Sequence, residues 1–134
     1  MSHIGKYKLK LENITKHELD LAIKLLLQNG LIEQTNKVVD YYGNERDVPE
    51  DVIKVKTKSG ILGERGIGVR VSHGQLELFC DTYMCMNEFT EFKSLLEDAV
   101  TTIRLTLQLK KARYSVKPRY SVKRKAFVIV GVQY

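Results

Sequence analysis

Residues 112–134, ARYSVKPRYSVKRKAFVIVGVQY, hold the densest strand signal and the densest positive charge of the chain. Within them Arg113-Tyr-Ser-Val-Lys117 recurs as Arg119-Tyr-Ser-Val-Lys123, an offset of six residues. An even offset preserves the two-residue period of a strand, so both copies face the same way. Tyr114, Val116, Tyr120 and Val122 are expected on one side, packing inward. Arg113, Ser115, Lys117, Arg119, Ser121 and Lys123 are expected on the other, in water. Pro118 lacks a ladder donor and therefore calls for a sheet edge, a bulge or two shorter pieces. After a turn at Lys123-Arg124-Lys125, the run Phe127-Val-Ile-Val130 with Val132 suits a strand buried on both sides. The whole stretch reads as a closing hairpin, residues 113–122 pairing antiparallel with 126–133.

The rest of the chain supplies the other layer. Residues 4–11 alternate Lys6, Lys8 and Lys10 against Tyr7, Leu9 and Leu11, as a half-buried strand does. Thr15-Lys-His-Glu18 is a capping box, and Ile14 with Leu19 has the spacing of a hydrophobic staple. Leu19, Ala22, Ile23 and Leu26 then share one face of a helix over Lys16–Gln28, stopped by Asn29-Gly30. Leu31–Tyr42 reads as a strand, Gly43–Asp51 as a surface loop, and Val52–Lys58 as an alternating strand with Lys54, Lys56 and Lys58 outward.

Ser59–Gly68 carries four glycines, but no Gly-Lys-Ser/Thr opens a helix after them, so a flexible connector is expected rather than a phosphate loop. Gly68–Asp81 is expected to form a hairpin turning at His73-Gly74, with Arg70 facing Glu77. A second helix, capped by Asn87 or Thr90, buries Phe92, Leu95, Leu96, Ala99, Val100, Ile103 and Leu107. The order β-α-β-β-β-β-α-β-β gives a single-domain α+β fold over residues 1–134, an antiparallel sheet with two helices packed on one face.

At 134 residues, 43% of them hydrophobic, the chain has enough apolar material for one core. No apolar run reaches membrane-spanning length, and the start Met-Ser-His-Ile-Gly-Lys lacks a secretory segment, so a membrane-free, cytoplasmic protein is expected. Two cysteines, Cys80 and Cys85, are too few for a disulfide framework or a four-ligand metal site; both are read as reduced, and no metal or cofactor is expected.

The net charge is +6, and residues 101–134 contain nine Lys or Arg with no Asp or Glu. Such asymmetry points to an anionic partner, nucleic acid being the commonest, the alternative being a solvated face that aids solubility. The second helix, acidic first and basic last, explains part of the asymmetry through its dipole.

With the opening Met-Ser-His and Lys-bearing strand, the short helix, the hairpin ending Leu76-Glu77-Leu78-Phe79-Cys80-Asp81, the long helix and the terminal hairpin, the chain resembles a plastid and cyanobacterial family of unknown function. That family is typified by the thirty-fifth hypothetical chloroplast reading frame. The matching strand there commonly reads Tyr-Glu-Leu followed two residues on by Asp; here Leu76 replaces the Tyr, while Glu77, Leu78 and Asp81 fit. The family's last turn is typically Asp-Gly, here Lys123-Arg124-Lys125, and its terminal Arg-Trp is absent. The resemblance implies the fold and brings no activity with it.

The functional expectation is a non-enzymatic binding module that uses Arg113, Lys117, Arg119, Lys123, Arg124 and Lys125 against nucleic acid phosphates or another polyanion. The alternative is a protein-interaction subunit, a homo-oligomer or an adaptor, meeting its partner through the Lys-flanked sheet edges or through Tyr83, Met84 and Met86. An enzyme would have to draw on Asp81, His73, Cys85 or His3, for which spacing assembles no base, orienting group and nucleophile.

Overall fold

Strands with one apolar and one charged face pair into a five-stranded antiparallel sheet in the computed structural model, which describes residues 4–133. The elements are β1 (Gly5–Lys8), α1 (Lys16–Gln28), β2 (Ile32–Gln34), β3 (Ile53–Thr57), α2 (Gly60–Arg65), β4 (Ile67–Ser72), β5 (Gln75–Cys80), α3 (Met86–Lys111), β6 (Tyr114–Ser121) and β7 (Ala126–Gln133). The α+β class and the expected order hold, with α2 added. The sheet runs β1-β5-β4-β3-β2, and β6 with β7 forms a separate two-stranded sheet.

One face of the large sheet presents Val55, Ile67, Val69, Leu76, Leu78 and Cys80, all fully buried. α1 covers it with Leu19, Ala22, Ile23 and Leu26, and α3 with Phe89, Phe92, Leu96, Ala99, Val100 and Ile103. The opposite face is ionic. Glu77, 3% exposed, accepts from Arg70 at 2.9 Å and from Lys6 at 3.2 Å, and Arg70 continues to Asp51 at 3.0 Å. The expected Arg70–Glu77 cross-strand pair is therefore present, and so is the His73-Gly74 turn, with both residues at positive φ.

Helix α1 starts as its sequence dictates: Thr15 Oγ1 accepts the Glu18 amide at 3.1 Å, and a Glu18 oxygen accepts the Thr15 amide at 2.9 Å. The carboxylate also takes Arg104 Nε of α3 at 2.9 Å, so the capping box doubles as an interhelical tie.

Several expectations need correction. The strand expected over 31–42 ends at Gln34, because Asp40 folds the following segment into a turn by accepting the amides of Tyr42 and Asn44 and the guanidinium of Arg46. The glycine-rich segment is a short helix rather than a flexible connector. It buries Leu62, whose amide donates to Glu88, and Gly66 ends it at φ 81°. Helix α3 begins earlier than Asn87, with Cys85 at its N-cap.

In the terminal hairpin the turn starts at Val122, which is 81% exposed; the two-residue parity stops at Ser121 where the strand does. Strand β7 is not buried on both faces: Phe127, Val128 and Ile129 are half-buried, Phe127 against the core, while Val130 is 57% exposed. No helix among the described residues is long and apolar enough to cross a membrane.

Candidate nucleic-acid interface on the terminal hairpin

Register within the hairpin sets the disposition of its charges. Tyr114 lies opposite Gln133, Pro118 opposite Ile129, and Tyr120 opposite Phe127. Tyr114, Val116, Pro118 and Tyr120 form the half-buried side of β6, facing α3, and Tyr120 meets Phe127 edge-on at 5.2 Å. Lys117 and Arg119 project from the outer side into solvent. Two residues apart, they are separated by roughly 6.5–7 Å along the strand.

The Tyr120 amide donates to Asn29 Oδ1 at 3.1 Å, so it points away from β7. Amide directions alternate along a strand, and the Pro118 position must point away too. The missing donor thus falls on the outer edge and removes no ladder bond.

The other four cations lie off the regular strand. Arg113 occupies the α3–β6 junction at φ 66°, its amide donating to Lys110 O, so strand parity does not govern its side chain. Lys123, Arg124 and Lys125 make the hairpin tip with Val122, pinned where the Arg124 amide donates to Ser121 Oγ. All six cations are exposed, and none takes part in an ion pair among the described residues. By contrast Lys6, Arg46, Lys56, Arg65, Arg70 and Arg104 each have a carboxylate partner.

Two cations missed in the sequence join this surface. Lys24 of α1 and Lys110 of α3 line, with Lys117 and Pro118, a groove of about 260 Å³ between the two helices and the hairpin edge. Only the docking of β6 against the end of α1 reveals this, since Lys24 by itself reads as an ordinary solvent-facing helix residue.

A second feature lies at the other end of the molecule. Asp81, 2% exposed, accepts the amides of Tyr41 at 2.8 Å and Tyr83 at 3.0 Å. Buried Arg65 donates from one nitrogen to the carbonyls of Asp81 and Tyr83 and to Cys85 Sγ. This frame holds Tyr41 edge-on to both Tyr42 and Tyr83, with ring centroids 5.1 and 4.8 Å apart. Beside it is a depression of about 390 Å³ lined by Tyr41, Ile61, Arg65 and Met84.

The residues considered for catalysis are employed otherwise or stand apart. Both Asp81 oxygens are engaged by backbone amides. His73 sits in the β4–β5 turn, a six-residue strand away from Asp81 and so roughly 20 Å distant. Burial pushes the Cys80 thiol up to about 12 and raises that of Cys85, which keeps both protonated at neutral pH. His3 lies outside the described residues. No group of three or more His, Cys, Asp or Glu that could hold a metal occurs among the described residues.

No protein family, curated protein or solved structure matches this chain.

Proposed function

We propose that the chain is a non-enzymatic, cytoplasmic binding module that contacts nucleic acid phosphates through Arg113, Lys117, Arg119, Lys123, Arg124 and Lys125. One observation carries the reading: these six exposed cations cluster on one hairpin with no ion-pair partner among the described residues, within residues 101–134, which contain no Asp or Glu. Among the described residues, cations without an ion pair occur elsewhere too, Lys8, Lys16 and Lys58 included; the hairpin six differ in being clustered on one element with no Asp or Glu near them in sequence. Lys24 and Lys110 extend the positive surface around the hairpin edge. The tyrosines of the repeat face inward, which supports backbone contact over base stacking.

Fluorescence anisotropy with mixed-sequence RNA and DNA oligonucleotides across a salt series tests it. Binding should weaken with a log–log slope of about −0.7 per contacted phosphate on single strands. The triple variant Lys117→Glu, Arg119→Glu, Lys123→Glu should lose binding while its melting transition stays in place. Retained binding by the variant, or none by the parent chain at low salt, overturns the proposal.

A second reading, a protein-interaction subunit, is favoured by one other observation. Tyr42, Tyr83 and Met84 are 68%, 50% and 67% exposed on a frame held rigid by Arg65 and Asp81. Loss of a co-purifying partner on Tyr42→Ser with Met84→Ser would support it, and unchanged recovery would remove it.

A further inference from the structure

Two open sheets have four edges, and three of them are protected. β1 is four residues long with Lys6 and Lys8 on its solvent side, and β2 is three residues long and carries Glu33. Short, charged strands resist edge pairing. The outer edge of β6 is blocked by Pro118 and engaged at Tyr120 by Asn29.

The fourth edge is β7, eight residues of sequence AFVIVGVQ without a charge or a proline. Its open groups follow from the register. Because the Tyr120 amide points away from β7, the Tyr120–Phe127 pair is of the non-hydrogen-bonded kind, and by alternation Phe127, Ile129, Gly131 and Gln133 aim their backbone groups away from β6. The close approach at Gly131 agrees: a Cβ there would stand 3.0 Å from Val116 Cγ1, as in a narrow pair. No hydrogen bond to that edge occurs among the described residues.

We infer that β7 pairs antiparallel with β7 of a second copy of this chain, about a two-fold axis at Val130. This register alone matches all four outward residues on each strand, Phe127 opposite the partner strand's position 133 and Ile129 opposite its position 131. A second copy fits for three reasons. An uncharged strand meets itself without like-charge contacts, which β1 with its lysines does not. Val130, 57% exposed, gains an apolar neighbour in its own symmetry mate. The cationic β6 strands end up three strand spacings apart, roughly 14 Å, beyond the Debye length of about 8 Å at physiological salt.

The pairing uses no cation of the proposed polyanion surface, so the two readings stand or fall separately. Sedimentation equilibrium of the full chain should show a concentration-dependent dimer. Ile129→Pro deletes an outward amide while keeping every bond within the hairpin, and should weaken the dimer about tenfold or more. Val130→Cys should form an intermolecular disulfide under mild oxidation, because facing Cα atoms of a narrow pair lie about 4.5 Å apart. Val128→Cys should not, since the two copies of residue 128 are four positions out of register. Cys80 and Cys85 are buried and do not compete. The Lys117→Glu, Arg119→Glu, Lys123→Glu variant should dimerise as before. A strict monomer, a dimer in which Val130→Cys stays unlinked, or faster linkage through Val128→Cys would overturn the assignment.

Discussion

Asn29 joins helix α1 to the terminal hairpin: its Nδ2 donates to Leu25 O at 2.8 Å while its Oδ1 accepts the Tyr120 amide at 3.1 Å. One side chain thereby closes a helix and fixes the position of β6. Asn29→Ala should cost roughly 1–2 kcal/mol, about one net hydrogen bond for each lost contact. The effect should be unequal over the molecule. Hydrogen exchange should accelerate at Tyr120 and along the hairpin far more than in β4 and β5, and uniform acceleration would show that the tie is not local.

Arg65 is the tie at the opposite end. It is 6% exposed, lies 3.9 Å from an Asp81 oxygen, and stands 5.5 Å from the centre of the Tyr41 ring. Arg65→Met leaves buried carbonyls and the Asp81 carboxylate short of a donor, and should destabilise by roughly 3–5 kcal/mol. Because Tyr41 and Tyr83 stack only while this frame holds, the near-ultraviolet circular dichroism should fall even at temperatures where the variant remains folded.

Gly66 combines φ 81° with a close approach, since a Cβ there would stand 2.7 Å from Lys37 O. Gly66→Ala should therefore lower stability by roughly 1–3 kcal/mol in a urea melt. Gly43, also at positive φ but with nothing within 4 Å of a Cβ, should tolerate alanine better. Equal losses at both sites would mean that backbone conformation, and not the Lys37 contact, sets the cost.

Acid stability should follow Glu77 and Glu18. At Glu77 burial works to raise the pKa, but hydrogen bonds from Arg70 and Lys6 outweigh it and the net shift is downward. At Glu18 burial is likewise outweighed, by the Thr15 amide and Arg104. A carboxylate with a depressed folded pKa contributes stability above its unfolded value, near 4.3, and loses it as pH falls through the folded value. Urea midpoints should hold steady above about pH 5 and decline below. Glu77→Gln should cost roughly 1–3 kcal/mol at pH 7 and flatten that decline.

Elements whose code is local could be read in the sequence. The Thr15–Glu18 capping box, the His73-Gly74 turn with Arg70 across from Glu77, and the inward parity of Tyr114, Val116 and Tyr120 each depend on residues within one or two elements. What escaped the sequence depends on distant partners. α2 is a helix because Glu88 receives the Leu62 amide and Gly63 fits beneath Thr57, whose carbonyl would be 2.7 Å from a Cβ. The segment after Gln34 leaves the sheet because Asp40 and Asp81 capture its amides. Of the proposed interface, the six hairpin cations stand out as a cluster in the sequence. Lys24 and Lys110 enter only through tertiary docking.

The placement of β1 has a kinetic consequence. Its partner is β5, with Lys8 opposite Glu77, sixty-nine positions along the chain, whereas β4–β5 and β6–β7 zip from tight turns. Closing that span costs roughly 2–3 kcal/mol more chain entropy than closing the terminal hairpin. Strand β1, made before its sheet partners, should thus be the last of this sheet to settle, and in the folded sheet the first to let go. Until it arrives, Glu77 has only Arg70 for a partner, and the β5 edge stands open to any other strand in the cell.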